Sequence, residues 1–415
     1  MTEWQKVKLG DICDVRDGTH DSPKQSLEGK FLVTSKHIKG GKIDLSSAYK
    51  ISLEDFNFVN QRSKVEQWDI LISMIGTVGE ICLICTPPDF AIKNVGLIKA
   101  GNKDLAQYLF YYLKSPISQN DIETRLKGTT QQYLSLSEIR DFPVFLPPLE
   151  IQRKIAGILG ALDDRIDVLR RENVVLEQMA QAVFQSWFVD FDIVRAKAAG
   201  TPESEVCEKY HISPELYALF PSALTPDNLP LGWEKKKLGD EFKIVMGQSP
   251  AGDTYNENRK GMPFFQGRRD FGFRYPTNRV YCTAPTRFAE KGDVLVSVRA
   301  PVGDLNIATE KCCIGRGVAS VRHLSNSTAY AFCQLKTLSN QFDVFNGDGT
   351  VFGCIGKDAF LALPFVSAPR EVLEKTLPYL DSFENKIFSN TQQIRALSAT
   401  RNTLLPQLIS GKLIF

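Results

Sequence analysis

Histidine is scarce in this chain of 415 residues, and its four copies, His20, His37, His211 and His323, stand at no metal-ligand spacing. Cysteine is present nine times, an odd number in no framework pattern, which points to reduced thiols rather than a disulfide scaffold. Cys82 and Cys85 form a CxxC, but no second pair matches them and EICLIC reads as a buried strand. No metal site is expected. No apolar run is long enough to cross a bilayer, and the opening MTEWQKVKLG does not read as a secretory signal, so a cytoplasmic protein is expected. No GxxxxGK[ST] loop is present to cradle a nucleotide. Net charge is only +2, so charge summed over the chain argues neither for nor against a nucleic-acid partner.

What is present is a long helical pattern. From Leu146 to Asp192, apolar residues recur at Ile151, Ile155, Ile158, Leu162, Ile166, Leu169, Leu176, Ala180, Val183 and Trp187. Spacings of three and four define one helix face. The run opens after Pro147-Pro148, where a helix can start. About forty residues span roughly 60 Å, the length of a coiled-coil strut rather than an ordinary packing helix. Asn173 interrupts the apolar seam, a placement that can fix register. Residues 369–415 repeat the phase at an offset of 221, with Ile387 on Ile166 and Leu397 on Leu176. Pro378 and Pro406 are expected to kink or delimit that second helix.

The repeat extends beyond the helices. Trp4 and KLGD at 8–11 return as Trp233 and KLGD at 237–240. WDILIS at 68–73 returns as GDVLVS at 292–297, and Val78-Gly79 as Val302-Gly303. Short β-branched runs between turn residues, such as KFLVT at 30–34, make each globular unit β-rich, with helices such as LAQYLFYYL at 105–113 mixed in. The expected fold is α+β. Two β-rich mixed domains are separated by a pair of long antiparallel coiled-coil helices, with a pseudo-twofold internal repeat. The expected divisions are a first domain at 1–147, a helix at 148–192, a connector of no clear period at 193–231, a second domain at 232–368 and a second helix at 369–415. Antiparallel pairing is favoured because the short connector cannot run back along the whole strut, and it brings the two chain ends together.

Twofold pseudosymmetry matches duplex DNA, on which paired readers sit about one helical turn apart. Local chemistry agrees. FFQGRRDFGFRYP at 264–276 alternates aromatics, glycines and arginines, suited to stacking, close backbone approach and guanine or phosphate contact. The first domain offers TSKHIKGGK at 34–42. Candidate DNA-contacting residues are Thr19, His20, Thr34, Ser35, Lys36, His37, Lys39 and Lys42 in the first domain. In the second they are Gln248, Ser249, Gln266, Arg268, Arg269, Arg274 and Arg299.

The motifs RDGTHDSP at 16–23, GTTQQYLS at 128–135, FPVFLPPLEIQRKIA at 142–156, FQSWFVDFD at 184–192 and LLPQLISGKL at 404–413 resemble the specificity subunits of type I restriction–modification systems. The resemblance spans nearly the whole chain. It implies a non-catalytic subunit that reads a bipartite DNA target, one half per domain, with helices that set the gap. It also implies docking of two modification subunits, which would carry S-adenosylmethionine, and association with restriction subunits. Trp187, Phe188 and Phe191 are the expected partner-docking residues; no cofactor is expected on this chain itself.

Two other classes compete. An adenine-specific methyltransferase would use DVFNGDGT at 343–350 as its glycine loop, but that stretch follows a helical pattern instead of a strand, and its counterpart at 123–130 has no such loop. TPPDF at 86–90 lacks the Asn or Asp that should precede the prolines. A coiled-coil scaffold without DNA binding is the third class, separated from the reader by salt-dependent DNA binding.

Overall fold

A computed structural model describes residues 4–346 and 353–413. It divides into two compact units, one of residues 1–168 with 393–415 and one of residues 169–392.

In the first unit the strand Gln5–Lys8 pairs antiparallel with Pro143–Leu146. A four-stranded antiparallel sheet follows, in the order Asp14–Asp17, Val95–Lys99, Asp69–Ser73, Ile81–Leu83. Asp69–Ser73 is buried on both faces, as its apolar run DILIS requires. A three-stranded sheet holds Lys30–Thr34 between Lys50–Ile51 and, in parallel, Phe90–Lys93. The helix Lys103–Lys114 starts on an Asn102 cap that accepts from the Leu105 amide, and it buries Tyr108, Leu109 and Leu113. Those side chains share one core with Ile155 and Leu159 of the first long helix and Leu405, Leu408 and Ile409 of the second.

The second unit repeats this frame. Glu234–Lys237 pairs antiparallel with Pro364–Ser367. The four-stranded sheet runs Phe242–Met246, Val318–His323, Val294–Ser297, Leu305–Ile307. The helix Thr328–Thr337 stands where Lys103–Lys114 stands in the first unit. Here a five-stranded sheet replaces the three-stranded one; its parallel pair is Met262–Phe265 with Cys312–Ile314.

The long helices are Leu149–Phe184 and Arg370–Ile409. Each unit contains an antiparallel stretch of both. In the first, Arg401 donates to Asp163 at 2.6 Å. In the second, Asn390 Nδ2 donates to Asn173 Oδ1 at 3.0 Å and Trp187 stacks on Tyr379. Asn173 is buried in the seam, so its amide is matched only in one register. The described chain ends meet in the first unit, where the Trp4 ring packs against Gly411.

One expectation is corrected, and the connector gains its structure. The second helix runs through Pro378 and Pro406 without a break. Pro378 lies on the exposed face, where water can reach a freed carbonyl, while Thr376, Leu377 and Leu380 anchor the opposite face in the core. The stretch without period holds three short helices, Asp192–Ala198, Glu203–Tyr210 and Pro214–Leu219. Each is too short to show periodicity, yet Ile193, Val194, Val206 and Phe220 enter the second unit's core.

Candidate nucleic-acid interface

In each unit, loops from separate parts of the sequence converge where the four-stranded sheet meets the sheet that carries the parallel pair. In the first unit they are the stretch after Asp17, the turn at Lys93-Asn94, the turn at Ser35 and the start of the Met74–Gly79 loop. Gly18 makes the approach possible: a Cβ there would lie 2.5 Å from the Ile92 carbonyl oxygen. The Thr19 amide donates to Ile92 O at 3.1 Å, and Thr19 O accepts from the Asn94 amide at 3.2 Å. His20 is exposed, its Nδ1 2.8 Å from Asn94 Oδ1 and its Nε2 2.9 Å from Asp17 Oδ2. Ser35 Oγ donates to Asn94 O at 2.9 Å and accepts from the Met74 amide at 3.2 Å.

The second unit builds the same convergence from different side chains. Gly247 takes the place of Gly18, and a Cβ there would lie 2.2 Å from the Gly315 oxygen. The Gln248 amide donates to Ile314 O at 3.1 Å. Ser249 Oγ and the Gln266 amide group bond at 2.8 and 3.1 Å. The Arg316 amide donates to Ser249 Oγ at 3.3 Å. Val298 N donates to Gly317 O at 3.0 Å, which brings the neighbouring Arg299 to this edge. Arg268 and Arg269 occupy a single turn just beyond Gln266, and Arg268 is ion-paired with Asp304.

Not every candidate residue reaches this surface. His37 is 1% exposed and its Nδ1 accepts from the Thr34 amide at 2.9 Å. Burial, with Lys36 adding to it, holds its pKa below the ordinary histidine value, so it props the loop as a neutral ring. Ser35 and Thr19 are buried and shape the backbone. Thr34 is half-buried behind His37. Lys36, Lys39 and Lys42 are exposed, but Lys39 lies 3.7 Å from Asp44 and Lys42 turns to Asp167 of the first long helix at 2.6 Å. Arg274 is withdrawn furthest: at 2% exposure it stacks on Phe332 and donates through Nε to Glu384 at 2.9 Å. An arginine in the core needs such a partner, and the Glu384 carboxylate, also hydrogen-bonded by Tyr275, supplies it.

The docking expectation is corrected in the same way. Trp187, Phe188 and Phe191 are buried, packed on Tyr379, Trp233 and Phe220 in the second unit. Large aromatics at the helix end close this core instead of facing outward. Exposed apolar residues on this part of the chain include Val174, Val175, Met179 and Val189.

Sequence reasoning missed Lys93, Asn94 and Arg316. Lys93 ends a strand, Asn94 and Arg316 lie in the short turn after one, and only the parallel pairing of those strands brings them to the converging edge. The repeat could have signalled them, since both turns precede the strand that runs through the middle of the four-stranded sheet.

The glycine loop at 343–350 lies partly outside the described residues. Among the described residues no cluster of His, Cys, Asp or Glu could hold a metal ion, and no helix is long and apolar enough to cross a membrane.

The sequence profile of the type I restriction modification DNA specificity domain matches residues 1–178 and 230–398. Two Methanocaldococcus jannaschii proteins, named for the specificity subunits of the type I restriction enzymes MjaX and MjaIX, are 26% and 23% identical to this chain. Each match covers 99% of this chain and 94% of the relative. The HindI specificity subunit of Haemophilus influenzae is 24% identical over 69% of this chain and 72% of its own. A crystal structure of the type I restriction–modification S subunit from M. genitalium shares the fold, with a TM-score of 0.59 at 16% identity over 98% of this chain and 96% of that one. With two copies of the profile over more than half its length and a long helix between them, the chain belongs to the specificity subunits of type I restriction–modification systems, the non-catalytic subunits through which these systems recognise DNA.

Proposed function

We propose that the two converging edges are the reading surfaces, one for each half of a bipartite DNA target, and that the paired helices set the unread gap. The observation that carries this reading is the repetition itself. The same framework is built twice, and each copy ends in an edge with exposed cations. Lys36 in the first unit and Arg269 and Arg299 in the second make no hydrogen bond or ion pair among the described residues. His20 is the exposed polar reader in the first unit; Gln248, Ser249, Gln266 and Arg268 join the arginines in the second. Phosphate contacts supply register and salt dependence, while side chains at the base edges supply sequence.

The chain works with modification and restriction subunits. In this reading two modification subunits dock on the helices, bring S-adenosylmethionine, and act in the cytoplasm. Val174, Val175 and Met179 on the first helix offer them exposed apolar surface, where the buried Trp187 cannot. The division of labour is tested by mapping methylated adenine in cells that express this chain with its modification partner. A two-part motif with a fixed gap is expected. A single uninterrupted motif, or methylation by the purified chain alone, contradicts it.

A further inference from the structure

We infer that Arg316 is a specificity-determining residue of the second unit and contacts the major-groove edge of a guanine. The inference rests on the reading-surface proposal above and adds the residue and the base.

Its backbone is fixed on both sides. Gly315 N donates to Phe265 O at 2.9 Å and Gly317 N to Gln266 O at 3.1 Å. Arg316 N donates to Ser249 Oγ, and Gly317 O accepts from Val298 N. The two glycines are required by this approach. A Cβ on Gly315 would lie 2.5 Å from Gln266 Oε1, and one on Gly317 would lie 2.5 Å from Gln266 O. The turn is therefore clamped between the loops that carry Ser249 and Gln266.

The side chain is free by contrast. Arg316 is exposed and its guanidinium makes no hydrogen bond or ion pair among the described residues. It shares that freedom with Arg269 and Arg299, whereas Arg274 is committed to Glu384, Arg279 to Asp270, Arg322 to Asp293 and Arg268 to Asp304. A planar fork on a fixed backbone is what bidentate pairing with guanine O6 and N7 needs. A phosphate contact has no such requirement and is met by a flexible point charge.

The first unit sharpens the assignment. The corresponding turn there presents Asn94, whose Oδ1 is already bonded to His20 Nδ1 at 2.8 Å. One position in the repeat thus holds an amide whose oxygen is engaged in the first unit and an open guanidinium in the second. The two halves of the target should differ at the base facing this turn.

The test uses the assembled complex of the chain with its modification subunits. Wild-type methylation mapping first fixes the two half-targets; absence of any bipartite motif would overturn the reading-surface proposal itself. Equilibrium competition then compares the wild type and Arg316→Ala over duplexes substituted at each target position. Thermal unfolding checks that the variant remains folded, as expected for an exposed side chain. The expected result is loss of discrimination at one guanine of the second half-target, by about 5- to 150-fold, with the first half unchanged. Arg316→Gln should lose the same guanine preference. Uniform weakening across all duplexes would make Arg316 a phosphate contact and overturn the inference, as would unchanged discrimination or a loss in the first half.

Discussion

The two globular units share a frame and differ in what is mounted on it. Both have the terminal strand pair, the four-stranded sheet and the helix behind it. Both also hold a buried aspartate at the start of a central strand, Asp69 and Asp293, which accepts from the amide three residues before it. Ser73 and Ser297 brace the following hairpin alike, each donating to a carbonyl four residues on. The units part company between the first strand of that sheet and its central hairpin. There the first unit has the helix Leu53–Ser63 and two strands of its three-stranded sheet, and the second has four strands of its five-stranded sheet. The invariant part is what folding requires; the variable part carries the edges. A chain that reads two different half-targets with one architecture would vary there and in the turns, at Asn94 and Arg316, that meet the same edge.

The same contrast appears in how each variable loop is tied down. In the second unit, Arg274 and Glu384 form a buried pair between that loop and the second long helix. In the first, Lys42 and Asp167 form an exposed one with the first long helix. Glu384→Ala should therefore cost the most, up to about 3–5 kcal/mol, because it leaves a buried guanidinium with only the Glu177 carboxylate, 3.8 Å away. Asp167→Ala should cost about 0–1 kcal/mol. Equal losses in chemical unfolding would erase the distinction. Next come the matched glycines. Gly18→Ala and Gly247→Ala each force a Cβ onto a backbone carbonyl and should each destabilise by about 1–3 kcal/mol. If either change leaves the melting temperature untouched, the two close approaches are not the same feature. Below these comes His20→Ala, which removes one polar contact and should weaken binding of the first half-target by about 1 kcal/mol. Disturbance of the second half-target in the same competition assay would break the independence of the two readers.

The frame was legible in the sequence because its signals are local or repeated. Trp4 and Trp233, DILIS and DVLVS, and the three-and-four spacing of the helices need no tertiary knowledge. The edges were only partly legible. RRDFGFRYP reads as one basic loop, yet Arg268 stays outside and Arg274 goes in, a choice decided by Glu384 more than a hundred residues away. His37 looked like a reader among lysines, but its ring closes a turn over Thr34. Trp187 and Phe188 looked like a docking face because the short helices that cover them have no period of their own. Arg316 went unnoticed because IGRG reads as a turn; its role depends on which strand lies parallel to which.

The proposal that joins these observations is that the paired helices set the gap between the two half-targets. The most direct test lengthens both helices by a heptad, between Arg170 and Arg171 in one and between Thr391 and Gln392 in the other. Seven residues keep the apolar seam in phase and leave the Asn173–Asn390 pair intact on one side of the insertion. The strut grows by about 10 Å, which corresponds to about three base-pair steps. Methylation mapping of an assembled, active variant should return the same two half-sequences with a gap about three base pairs longer. An active variant that still methylates only the original spacing would contradict the account.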